Sequence, residues 1–134
     1  MPWGGGASVR RHKMLIYKDL TEKIIGGVIT VHRCLGPGLL EAPYHNALYY
    51  ELRGRGLTVE YNAPFTVKYR GQVVGEYFAD LVVERKVIIE VKSVRALSPE
   101  MKAQVINYLK ISGVRLGLLV NFHGVKANWE RVVV

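Results

Sequence analysis

Residues 77–92 read Tyr77-Phe78-Ala79-Asp80-Leu81-Val82-Val83-Glu84-Arg85-Lys86-Val87-Ile88-Ile89-Glu90-Val91-Lys92. Two β-rich runs flank a short polar connection, Glu84-Arg85-Lys86. The pattern predicts strands over 77–83 and 87–91, joined as a hairpin. Asp80, Glu90 and Lys92 interrupt these apolar runs. Charges in such a setting are costly unless they are paired or hold a metal. Glu90 and Lys92 are two positions apart and so share one face of a strand. Asp80 and Glu90 are equidistant from Arg85, so a hairpin centred there sets them opposite each other. Their Cβ atoms would then be roughly 4.5–5.5 Å apart.

Adjacent carboxylates repel, and a divalent cation relieves the repulsion. A donor set made only of oxygen suits Mg²⁺ or Mn²⁺, which retain waters and bind substrate phosphate. Such an ion acidifies water, and a lysine beside it can stabilise developing negative charge. These are the parts needed for phosphodiester hydrolysis. The competing reading is an ion-pair cluster of Asp80, Glu90 and Lys92. A strand-borne Glu-x-Lys alone is a weak signal, and the aspartate in cross-strand register is what strengthens it.

Working outward, the N-terminal side is helical. Leu20, Ile24, Val28, Val31 and Leu35 form one apolar stripe, predicting a helix over 19–35 with Asp19 as N-cap and Glu22 completing a capping box. Gly36-Pro37-Gly38 ends it. A second helix is expected over about 42–53, with Pro43 in its first turn and Glu41 at its N-terminus, where a negative charge is favoured. Residues 59–63 and 65–69 read as strands, and Arg70-Gly71-Gln72 as a turn into Val73-Val74. Beyond the central hairpin, Ser98 caps a helix to about 111, with Pro99 at its first position and Gly113 as its stop. Residues 114–121 read as a buried strand and 129–134 as a final edge strand. Residues 1–13, with Gly4-Gly5-Gly6 and then Arg10, Arg11 and Lys13, read as a flexible leader, with Met14 as an alternative start. The remainder, 14–134, reads as one α/β (α+β) domain.

At 134 residues and 49% hydrophobic composition, the chain can build one core. A net charge of +8 favours polyanionic partners such as nucleic acid. Cys34 is the single cysteine, which excludes an internal disulfide and cysteine-cluster metal sites; it reads as a small buried hydrophobe. No apolar run approaches the roughly 20 residues of a membrane span, and no signal-peptide core is evident. The expected partner is therefore nucleic acid rather than a membrane, and the expected location is cytoplasmic.

Gly38-Leu39-Leu40-Glu41-Ala42-Pro43-Tyr44 matches a GxxExxY signature. Together with Ala79-Asp80-Leu81, Ile89-Glu90-Val91-Lys92 and Leu118-Leu119-Val120-Asn121-Phe122, it makes residues 15–122 resemble the GxxExxY protein family. That family is assigned to the PD-(D/E)xK nuclease superfamily. The resemblance implies a restriction-endonuclease-like core, with a central mixed sheet flanked by helices. It also implies Asp80, Glu90 and the Val91 backbone carbonyl as metal ligands, and Lys92 as catalytic lysine. Glu41 is implied as a conditional further ligand, since Pro43 within the motif bears on where its helix starts. Gln104 and Tyr108, four apart on one helix face, resemble the QxxxY element that borders RecB-like sites, with ordinary surface packing as the competing reading. Tyr44 is weighed as a substrate contact or a core residue, and His45 as an exposed helix residue.

The function expected is a metal-dependent nuclease, acting on DNA in preference to RNA. The alternative is a non-catalytic nucleic-acid-binding or assembly module that keeps the fold. A homodimer is a further expectation, because Val132-Val133-Val134 would place an apolar strand at an edge.

Overall fold

A computed structural model describes residues 16–134, so the expected leader and the alternative start at Met14 lie outside the described residues. The elements run α1 (Lys18–Leu35), α2 (Glu41–Gly54), β1 (Val59–Tyr69), β2 (Gln72–Val83), β3 (Val87–Lys92), α3 (Pro99–Ser112), β4 (Leu116–Asn121) and β5 (Asn128–Val133). The strands form one mixed sheet in the order β1-β2-β3-β4-β5. Among the described residues only β3 and β4 are parallel, because α3 carries the chain back across the sheet between them.

The helices cover opposite faces. Ile24, Val28 and Val31 of α1 and Leu48 and Leu52 of α2 pack on Leu81, Ile89, Val91 and Leu118. Val105 and Leu109 of α3 pack on Val82, Ile88 and Leu119 from the other side. The strands β3 and β4 are thus sandwiched, and every residue of β4 is buried. This explains why residues 87–91 and 116–121 read as nearly continuous apolar runs rather than alternating ones. Close approach is set by small residues. A Cβ on Gly27 would meet Leu52 Cδ2 at 2.7 Å, and one on Gly117 would meet Val105 Cγ1 at 2.6 Å.

Several sequence expectations are corrected. The first helix starts one residue early, at Lys18, with Tyr17 as its N-cap in the left-handed region and no side-chain cap, so Asp19 lies inside the first turn. The two expected strands over 59–69 are one, because Pro64 sits on an edge strand where its missing N–H is tolerated. Val73 and Val74 begin the same strand that carries Asp80. Cys34 is exposed rather than buried, since the apolar stripe of α1 turns away before reaching it. At the last strand, Val132 is buried and Val133 packs on the core, so much of the apolar character there is used within the chain. The Ser98 cap is as expected, its hydroxyl accepting from Met101 N at 3.2 Å.

The ribbon of β1 and β2 bends sharply at one place. Leu81 and Val83 face the α1/α2 side, while Ala79 and Tyr77 face α3. In β1, Tyr61 touches α2 whereas Ala63 and Phe65 face α3. Regular alternation would keep residues two apart on the same face. The change of face falls at Asn62, which has φ 48°, and at Asp80 opposite it, where the β1–β2 pairing omits one pair.

Candidate active site

Asp80 stands where β2 leaves β3. The hairpin register is centred as expected, with Val83 opposite Val87 and Leu81 opposite Ile89, but backbone pairing ends there. Asp80 and Glu90 are next in line and are linked through their side chains instead. The Asp80 carboxylate accepts from the Val91 N–H at 2.8 Å, and the Asp80 N–H donates to Glu90 Oε1 at 3.4 Å. The Asp80 carbonyl accepts from His45 Nε2 at 2.8 Å. Because a carbonyl can only accept, this bond requires the proton on Nε2 of His45.

Glu90 is 7% exposed, while Asp80 and Lys92 are half-buried. Burial pushes the Glu90 carboxyl up to about 9, reinforced by the neighbouring Asp80 charge; the Lys92 ammonium pulls the other way and does not prevail. Among the described residues Lys92 forms no ion pair within 4 Å. The competing ion-pair cluster is therefore not what the three side chains form among the described residues. They are a carboxylate pair with an ammonium nearby. Two hard oxygen donors, one buried and short of positive charge, fit a small divalent cation.

The remaining predicted residues divide. Glu41 is the first residue of α2 and is exposed. Its loop is tied to the end of β3 by the Ser93 hydroxyl, which donates to Leu39 O at 2.6 Å. His45 lies one turn further along the same helix face. Glu41 does not join the carboxylate pair, for no three His, Cys, Asp or Glu side chains among the described residues come together as a metal site. Pro43 does not displace it, because the helix begins before Pro43. Tyr44 is wholly buried, stacked on Phe122 at 4.5 Å, with its hydroxyl donating to Gly36 O and accepting from Leu39 N. A ring so enclosed pins the Gly36–Leu39 loop and presents no surface to a substrate.

On the other face, Tyr108 of α3 stacks on Tyr77 with ring centres 3.8 Å apart. Burial raises the Tyr108 hydroxyl, and the charges of Glu90 and Asp80 raise it further. Burial likewise raises Tyr77, to about 12, with Glu90 adding to the shift. Gln104 is exposed, one turn nearer the start of α3. The sequence reads His45 as an exposed helix residue, whereas it is half-buried against the Asp80 carbonyl, and it singles out nothing at Tyr77 beyond its strand. The available signal for His45 was its spacing of four from Glu41, and for Tyr77 its place three residues before Asp80. A separate cavity of about 420 Å³, lined by Ile29, His32, Arg33, Val125, Lys126, Ala127 and Trp129, holds neither carboxylate.

A mixed sheet covered by helices on both faces, with an Asp on one strand and Glu-x-Lys on the next, defines a nuclease-like α+β fold. The PD-(D/E)XK nuclease superfamily profile matches residues 18–132, and the chain belongs to that superfamily. Among solved structures, the one titled "Crystal structure of SSO0001" superposes with a TM-score of 0.51 at 20% identity, covering 66% of this chain. This chain spans 47% of that one, so the likeness concerns the fold. Comparison with curated protein sequences gives no match. No helix among the described residues is long and apolar enough to cross a membrane.

Proposed function

We propose that this chain is a metal-dependent nuclease that hydrolyses phosphodiester bonds of nucleic acid, DNA in preference to RNA. The observation that carries the reading is the Asp80–Glu90 carboxylate pair, which has no ion-pair partner in Lys92 or elsewhere among the described residues, in a chain of this superfamily. Asp80 and Glu90, with the Val91 carbonyl, would hold Mg²⁺ or Mn²⁺. Once bound, such an ion neutralises phosphate charge and acidifies water. Glu41 is the conditional further ligand of this proposal: it stands apart from the pair, after a loop that the Ser93–Leu39 bond ties to the end of β3, and would have to turn in to reach the ion.

The protein's own groups have separate tasks. Lys92 supplies a fixed positive charge where negative charge develops on the scissile phosphate. His45 holds the Asp80 backbone, and the Val91 N–H holds one carboxylate oxygen, so the aspartate cannot rotate away. Tyr108 and Gln104 line the α3 side of the approach. A net charge of +8 favours a polyanionic substrate. The narrower GxxExxY relationship is supported by residues 38–44, and a cytoplasmic location is part of the same reading. An edge-to-edge homodimer through β5, an edge strand among the described residues, belongs to it too and is decided by the mass in solution.

The test is cleavage of single- and double-stranded DNA and RNA, with and without Mg²⁺ or Mn²⁺. Activity should require the ion, vanish in Asp80→Ala, and fall in Lys92→Ala by on the order of 100-fold or more. Salt-sensitive binding without cleavage under every condition would instead support the non-catalytic module.

A further inference from the structure

His45 links the Asp80 carbonyl to Tyr61: its ring edge donates from Nε2 to the carbonyl, and its face stacks on the Tyr61 ring with centroids 4.3 Å apart and planes 6° from parallel. Beyond Tyr61 lies an open groove of about 420 Å³ lined by Asn46, Tyr49, Tyr50 and Tyr61. The groove therefore begins two rings, His45 and Tyr61, away from the Asp80 carbonyl. Its walls come from one face of α2 and from the part of β1 just before the bend at Asn62.

Core packing accounts for part of this cluster. Tyr49 packs against the buried residues under α2 and meets Tyr61 edge to face at 5.4 Å. It does not account for Tyr50, which is 69% exposed and, among the described residues, touches another aromatic ring only along Tyr49, edge to face. Nor does it account for the 43% exposure of Tyr61, whose hydroxyl donates to Asn46 Oδ1 at 2.6 Å and so fixes the ring at the groove wall. Arg53 adds charge beside these rings, its guanidinium carbon 5.3 Å from the centre of Tyr49 and its Nη1 donating to the Tyr49 hydroxyl at 3.1 Å. Exposed flat rings, a planar amide at the rim and an adjacent guanidinium match what a nucleobase and its phosphate require.

We propose that this groove binds an unpaired nucleobase of a single-stranded segment adjoining the bond presented to Asp80 and Glu90. The proposal rests on the nuclease reading and adds a preference to it. In a duplex both faces of each base are covered by its neighbours, so only an unstacked base offers a face to Tyr50 or Tyr61. Asn46 then meets the base edge, with little demand on its identity, and Arg53 meets the backbone.

Binding is measured with the full chain in the presence of a chelator, so that no cleavage intervenes. The probes are a fluorescent oligothymidylate strand and a duplex of equal length, followed by anisotropy. Tyr50→Ala should weaken strand binding by about tenfold, the size of one base–aromatic stack, and leave duplex binding unchanged. Tyr50→Phe should bind as the parent does, and Tyr61→Ala should follow Tyr50→Ala. Unchanged strand affinity in both alanine variants, equal loss on strand and duplex, or no strand binding by the parent would each overturn the proposal. Metal-dependent cleavage that persists while the tyrosines prove irrelevant sinks the groove alone. Tyrosine-dependent strand binding with no cleavage under any condition sinks the nuclease reading and leaves the groove.

Discussion

Glu90 shows how one residue joins stability to ligand binding. Its carboxyl holds a proton more tightly in the folded chain than in the unfolded one, mainly because it is buried and secondly because Asp80 is beside it. Below about pH 4.5 both states are protonated, and the contribution to stability is fully present. As pH rises, the unfolded chain gives up its proton first, and stability is lost until the folded group titrates near 9. The metal-free protein should therefore melt at a lower temperature at about pH 9 than at about pH 5, and Glu90→Gln should flatten that decline. Thermal melts across this range, with chelator, check the sign; a parent protein that gains stability with pH contradicts it. At this scale the motif residues were legible because charges in apolar strands stand out. Tyr44 and His45 were not, since adjacent residues on a helix point in directions that sequence spacing alone does not assign to core or site. The fold sent Tyr44 inward to Phe122 and His45 to the back of Asp80.

Among the elements, the bend in the β1–β2 ribbon has the most consequence. It takes β2 off β3 one pair before Asp80 could join the ladder, which frees its carboxylate to reach the Val91 N–H and its own N–H to reach Glu90. Asn62 makes the bend possible, because asparagine tolerates the left-handed region better than most residues. Its side chain is exposed, so substitution there tests backbone strain rather than packing. Asn62→Gly should stay close to the parent in urea denaturation, and Asn62→Val should cost roughly 1–3 kcal/mol. Equal stability in both variants would mean that the bend is imposed by packing from β2. Strand and helix existence was readable from period and composition, because most segments have one buried face. The bend was not, since a period-two pattern says nothing about where a ribbon changes face. The continuity of β1 through Pro64 was hidden for a related reason. Proline breaks a strand on paper, whereas on the sheet edge it costs no ladder bond.

At the scale of the whole molecule, the mixed sheet does one thing that separate elements could not. It seats α2 and α3 on opposite faces of β3, so that His45 reaches the strand bearing Asp80 from one side while Tyr108 stacks on Tyr77 of that strand from the other. The α+β class followed from the order of helices and strands, and the parallel β3–β4 pair follows from α3 lying between them. The meeting of residues separated by many positions, such as Ser93 with Leu39, depended on the sheet order and left no local signal. All of this geometry converges on a claim about Asp80 and Glu90. A crystal soaked in Mn²⁺ and recorded at the manganese absorption edge tests it most directly. An anomalous peak between the two carboxylates, with Lys92 alongside and no peak in Asp80→Asn, is the result predicted. Absence of the peak in the parent protein, with Lys92 swung in to pair with Glu90, would contradict it.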